Sequence, residues 1–182
     1  MQDLWVFGYG SLMWRPGFEH EERRPARLHG YHRSFCVYSH VHRGTPERPG
    51  LVFGLDAGGS CRGVAFRVDA SRAEDTRRYL QAREQVTLVY RDIVKPVELI
   101  DEGVQVNALC FVVDRKHAQY AGKLSFEEQT RLIAGAMGDS GPNPEYLEST
   151  VRHLDEIGVR DESLTRLWHA VAQHQHPSLP SR

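Results

Sequence analysis

The rhythm of apolar and polar positions changes along this chain, and each change predicts a kind of element. An apolar run, Trp5-Val6-Phe7, stops at Gly8-Tyr9-Gly10-Ser11 and resumes with Leu12-Met13-Trp14, as a buried strand does when it delivers a backbone loop to a cleft. A turn at Arg15-Pro16-Gly17-Phe18 and a charged run, Glu19-His20-Glu21-Glu22-Arg23-Arg24, predict solvated chain. Extended chain follows over 26–39, with the β-formers Phe35, Val37 and Tyr38 toward its end. The Pro- and Gly-punctuated stretch 42–50 reads as a polar loop, after which Leu51-Val52-Phe53-Gly54-Leu55 resumes a strand. A turn at 56–60 leads into 61–68, where Val64, Phe66 and Val68 alternate with Gly63, Ala65 and Arg67, and the two strands predict a hairpin.

A helical period begins at Ser71, the predicted N-cap, with Glu74 completing a Ser-x-x-Glu capping box and Tyr79 and Leu80 on the inner face. It ends at Arg83-Glu84. Residues 86–89 and 93–100 read as extended, and 104–113 is too apolar at its end to be exposed on both faces, which predicts a central strand. The last third is helical: Ser125 and Glu128 start a helix carrying Leu132, Ile133 and Met137, and 138–144 breaks it. Asn143 or Pro144 begins the next, with Tyr146, Leu147, Val151 and Leu154 in step up to Gly158, and Asp161 opens a final one with Leu164, Leu167, Trp168 and Val171. Strands before helices predict an α+β domain whose sheet can close into a small barrel. A single domain over 1–174 is expected, followed by a polar, proline-broken tail at 175–182 that is expected to be disordered.

Charge and cysteine content narrow the function classes. Lys+Arg number 23 against 24 Asp+Glu, so no basic field points to nucleic acid or a membrane surface, and the expected ligand is small. No apolar run approaches the ~20 residues that span a bilayer, and the N-terminus lacks the basic-then-apolar pattern of a leader. Cys36, Cys61 and Cys110 form no C-x-x-C pair; each sits in a strand-like context as a buried small hydrophobe, and a reducing cytosol fits best. His29, His32, His40 and His42 are close enough to test for zinc, but no carboxylate or cysteine is placed to finish a tetrahedron, so no metal site is read.

Candidate chemistry centres on the Gly8-Tyr9-Gly10-Ser11 corner, where glycines let a ligand approach consecutive N–H groups; such a nest suits a carboxylate or phosphate. Closing a hairpin is the competing reading of those glycines, and a P-loop is excluded because no Lys-Ser/Thr follows them. Glu84 stands apart from the charge runs and returns at helical spacing to the face of Leu80, so it points inward, where burial raises a carboxyl toward the range useful for proton transfer. An ion pair with a nearby arginine is its competing reading. The 42–50 loop carries Arg43 and Arg48, readable as a lid facing an anion or as solvated surface charge, and Tyr120 and Tyr146 as site phenols or core aromatics.

Residues 6–14, Gly30-Tyr31-His32-Arg33, His42-Arg43-Gly44-Thr45-Pro46, Tyr79-Leu80 with Arg83-Glu84, and Gln119-Tyr120-Ala121-Gly122 together resemble the ChaC family of γ-glutamylcyclotransferases, from Trp5 to about Leu167 and in order. The resemblance implies a closed mixed β-barrel flanked by helices, and cleavage of glutathione to 5-oxoproline and cysteinylglycine without a cofactor. It also implies a substrate-binding loop at Phe7, Gly8, Tyr9, Gly10, Ser11 and Leu12, with Glu84 as the acid/base. The same residues would serve a cyclotransferase for other γ-glutamyl amino acids or amines. A non-catalytic module, with Glu84 holding an ammonium group, is the reading from outside catalysis. Oligomeric state is not set by the sequence.

Overall fold

A computed structural model describes residues 2–176. The expected disordered tail lies outside the described residues from position 177, whereas Gln175 still belongs to the last helix. The chain divides into two compact units: one is the chain up to Ser34 with Phe53–Tyr120, the other Phe35–Val52 with the chain from Ala121 onward.

Strands β1 (Leu4–Gly8), β2 (Glu22–Ser39), β3 (Gly50–Val68), β4 (Tyr90–Leu99) and β5 (Val104–Val113) close into a barrel in the order β1-β3-β2-β4-β5. β1 runs antiparallel to β3, from Leu4↔Val68 to Gly8↔Val64, and parallel to β5 at Trp5↔Ala108 and Val6↔Leu109, so the barrel is mixed. β5 is also paired along its whole length with β4, which makes it as central as its apolar end predicted. Helix α1 (Ala73–Glu84) covers the first unit's core: its Leu80 joins Leu4, Val6, Leu12, Val68, Leu109 and Phe111 in one buried cluster. Burying each large apolar side chain there contributes about 1.5–3 kcal/mol.

Several expectations for this unit are corrected. Part of the charged run is strand: Glu22 and Arg24 lie in β2, where Arg24 pairs with Glu22, Asp101 and Glu102, and Glu22 also meets Arg67 at 2.6 Å. Extended chain can carry such charges on its outward side. The turn at 56–60 does not separate two strands; β3 runs through it, bending at Gly58 and Gly59 (φ 102° and 69°), whose left-handed backbone lets the strand turn without breaking. The Ser71 capping box does not form, because Asp69 Oδ1 already accepts from the Ser71 amide (2.9 Å) and hydroxyl (2.5 Å), and the helix starts after Arg72. Tyr79 is exposed rather than inward. Val86 and Leu88 are exposed too, in a turn with Leu88 at φ 58°, so the strand predicted from 86 begins only at Tyr90.

The second unit holds α2 (Phe126–Gly135), the short hairpin β6 (Met137–Gly138) and β7 (Gly141–Pro142), α3 (Asn143–Glu156) and α4 (Glu162–Gln175), with α4 packed on α2 and α3. The predicted starts are met. Ser125 Oγ accepts from Glu128 N and Glu128 Oε2 from Ser125 N, and Asp161 Oδ1 accepts from Leu164 N at 3.1 Å. Met137 is exposed in β6 instead of lying inside α2, since the chain there turns to place the Asp139 amide on Val41 O (2.8 Å) and the Ser140 amide on His42 O (2.9 Å).

Asn143, fully buried at the start of α3, accepts from Leu51 N through Oδ1 and donates to Leu51 O through Nδ2, both at 2.8 Å. Its side chain thus satisfies both backbone groups of one residue of β3. Replacing Asn143 by Ala leaves that buried pair without partners, at about 1–3 kcal/mol for each group. Thermal melts of the variant are expected to fall by roughly 5–15 °C; a melting temperature within a degree of wild type would show that the pair is solvated or replaceable.

Candidate active site

At the end of β1 the chain enters a single 3-10 turn, Ser11–Met13. The turn's own hydrogen bonds begin with Met13 N to Gly10 O (2.9 Å) and Trp14 N to Ser11 O (3.3 Å), so the amides of Gly10, Ser11 and Leu12 lie outside that pattern. Phe7, Tyr9 and Leu12 are buried, so what these three residues offer a ligand is backbone. Gly8 acts through space rather than dihedral freedom. Gly8 and Gly10 are not in the left-handed region, but a Cβ on Gly8 would sit 3.2 Å from Leu12 Cβ. A Cβ on Gly63, across the β1–β3 ladder, would sit 2.2 Å from Gly8 O.

The loop's carbonyls are held by guanidinium groups. Arg33 Nε donates to Tyr9 O and its Nη2 to Arg62 O, both at 2.6 Å, and Arg23 Nη2 donates to Met13 O at 3.1 Å. Arg83 Nη1 donates to Arg15 O (2.6 Å) and Pro16 O (3.0 Å), while its Nη2 donates to Ser11 Oγ (3.1 Å). Fixing carbonyls on cations in this way orients the intervening peptide planes.

Glu84 is the last residue of α1, one turn beyond the buried Leu80, and its side chain is 18% exposed. Its Oε1 lies 3.2 Å from Arg83 Nε, so the same guanidinium reaches both this carboxylate and the Ser11 hydroxyl. Burial pushes the Glu84 carboxyl above the ordinary carboxylate range, and Arg83 pulls it back only in part. Glu84 is thus ion-paired, and desolvation still outweighs the pairing.

The remaining candidates make other contacts. Tyr120 Oη donates to Asp56 Oδ2 (2.7 Å) and Arg115 Nε to Asp56 Oδ1 (2.6 Å). Burial pushes Asp56 up, yet the bonds from Arg115, Tyr120 and the Ala57 amide outweigh it and hold the carboxyl below its usual range. Tyr146 belongs to the second unit, edge-on to Phe35 at 6.2 Å and under Arg43 at 5.6 Å. Arg43 also donates to Pro142 O at 3.1 Å. The cysteines are buried, and burial pushes the Cys110 thiol up to about 12, which leaves it protonated.

Fold and site together define a closed mixed barrel in which the loop after β1 and a desolvated carboxylate, Glu84, meet one guanidinium, that of Arg83. The model of the family described as ChaC-like protein matches residues 4–174. The chain is 37% identical over 164 residues to the glutathione-specific gamma-glutamylcyclotransferase of Escherichia coli (strain K12), covering 90% of this chain and 71% of that one. It is 38% identical over 149 residues to glutathione-specific gamma-glutamylcyclotransferase 1 of Danio rerio, covering 79% and 75%. A crystal structure of a yeast gamma-glutamyl cyclotransferase specific to glutathione shares the fold with a TM-score of 0.86 at 24% identity, over 98% of this chain and 99% of that one. This chain belongs to the ChaC-like family.

Sequence reasoning named the loop and Glu84 but passed over the supports: Gly63, Arg33 and Arg83. Arg83 carried a signal, standing beside the inward glutamate; Gly63 and Arg33 act on partners 55 and 24 positions away, which no local pattern reveals. The raised Glu84 carboxyl also marks it as a strained site. Below the unfolded chain's carboxylate value Glu84 is neutral in both states, and as pH rises through the higher folded value the buried charge destabilises the fold. Glu84→Gln is therefore expected to match wild type in melts near pH 4 and to exceed it near pH 8, by about 2–4 °C per kcal/mol relieved. An equal or lower melting temperature at the higher pH would mean that the pairing with Arg83 outweighs desolvation.

Proposed function

We propose that this protein is a glutathione-specific γ-glutamylcyclotransferase that cleaves glutathione to 5-oxoproline and L-cysteinylglycine. The observation that carries the proposal is the desolvated Glu84 carboxylate, held on the same guanidinium as the Ser11 hydroxyl of the amide loop. The names borne by the Escherichia coli and Danio rerio relatives support the choice of substrate.

In this reading the amides of Gly10, Ser11 and Leu12 take the α-carboxylate of the γ-glutamyl group and set its α-amine against the γ-carbonyl. Attack by that amine closes a five-membered lactam, so the nucleophile belongs to the substrate. Glu84, ionised, takes a proton from the α-ammonium; the freed amine adds to the carbonyl, and the bond to the cysteinyl nitrogen breaks as Glu84 returns the proton to it. The second ammonium proton leaves to water. Holding amine and carbonyl in place supplies up to about 7–11 kcal/mol, so one proton-transfer group is sufficient equipment. The buried cysteines agree with a reducing, cytosolic setting.

Purified Glu84→Gln is expected to bind glutathione with affinity near wild type while kcat falls by about 10²–10⁴. Mass detection of 5-oxoproline and cysteinylglycine, with γ-glutamyl-alanine as the comparison substrate, reads the outcome. Retained turnover in the variant removes Glu84 from the mechanism, and equal rates on both substrates would replace glutathione with γ-glutamyl compounds in general.

A further inference from the structure

We infer that Arg83 is a positioning residue for the proposed reaction, one guanidinium that sets both the seat of the amide loop and the electrostatic state of Glu84. The inference rests on the reading of Glu84 as the proton-transfer group. The geometry is that of a hub. From the last turn of α1, Arg83 donates to Ser11 Oγ, Arg15 O and Pro16 O, lies 3.3 Å from Tyr79 Oη, and meets Glu84 Oε1 at 3.2 Å. One of those contacts falls within the loop whose amides would hold the substrate carboxylate, at Ser11, two fix the chain just beyond it, at Arg15 and Pro16, and a fourth fixes the carboxylate that would move the proton. A displacement of either half is therefore felt by the other.

The surroundings separate the electrostatic role of Arg83 from the roles of its neighbours. Asp92 of β4 is occupied by the side-chain amides of Gln81 (3.1 Å) and Gln85 (3.0 Å), which flank Glu84 on the helix. Arg15 meets the hub through its backbone carbonyl. Arg83 meets the Glu84 carboxylate at 3.2 Å and acts to lower its proton affinity against burial. Arg33 and Arg23 also hold loop carbonyls, but the groups they reach are Tyr9 O, Arg62 O and Met13 O. The loop thus has supports that only position and one that also tunes. Lysine can replace the charge of Arg83 but not its planar fork, which separates the two duties experimentally.

The test compares wild type with Arg83→Met, Arg83→Lys and Arg33→Met in two readouts. One is the pH profile of kcat and KM with glutathione. The other is the infrared carboxyl band of Glu84, assigned by difference against Glu84→Gln, which reports protonation without turnover. Loss of the cation in Arg83→Met is expected to move both the acidic limb of kcat and the infrared midpoint to higher pH, with KM raised roughly tenfold for the lost charge-assisted bonds. Arg83→Lys is expected to restore the limb and midpoint while KM stays raised, and Arg33→Met to raise KM with the limb in place. A folded Arg83→Met with unmoved limb and midpoint, or an Arg83→Lys indistinguishable from it, overturns the inference. Absence of products with wild type would refute the proposed reaction, and the infrared midpoints would still decide the role of Arg83.

Discussion

The buried cluster that contains both Leu12 and Leu80 is the constraint on which the site depends. Leu12 belongs to the loop leaving β1 and Leu80 to the inner face of α1, so burying both at once brings a backbone loop and a helix end into one neighbourhood. Glu84 follows Leu80 by one helical turn and has little choice of direction. The hydrophobic effect thus holds a carboxylate out of the water that would otherwise keep it solvated, and the raised proton affinity follows from that placement.

What the protein contributes to the proposed chemistry is position. Phe7, Tyr9 and Leu12 bury their side chains, Gly8 and Gly63 clear the space through which the loop passes, and arginines fasten its carbonyls. A substrate that carries its own nucleophile needs little more than a fixed carboxylate, a fixed amine and one group able to take and return a proton. The raised Glu84 carboxyl suits both halves of that exchange, because an unperturbed carboxylate would be a poor acid toward the leaving nitrogen.

Much of this was legible in the sequence where the signal is local. The Gly8 to Ser11 corner interrupts an apolar run, Glu84 keeps helical step with Leu80, and Ser125 and Asp161 announce helices that the structure starts at those points. Local signals failed where a neighbour competed: Asp69 took the hydrogen bonds that would have let Ser71 cap α1, and left-handed Gly58 and Gly59 bent a strand that turn residues seemed to end. Distant partners were invisible. Asn143 fastens Leu51 across 92 positions and Arg33 fastens Tyr9 across 24, contacts that only the folded chain brings together.

The central claim is that the γ-glutamyl amine, not water, attacks the γ-carbonyl while Glu84 handles the proton. Turnover of glutathione in heavy-oxygen water tests it most directly. The account predicts 5-oxoproline of unshifted mass and no free glutamate. Glutamate carrying one heavy oxygen in its γ-carboxyl group would instead mean that water is the nucleophile, and would contradict it.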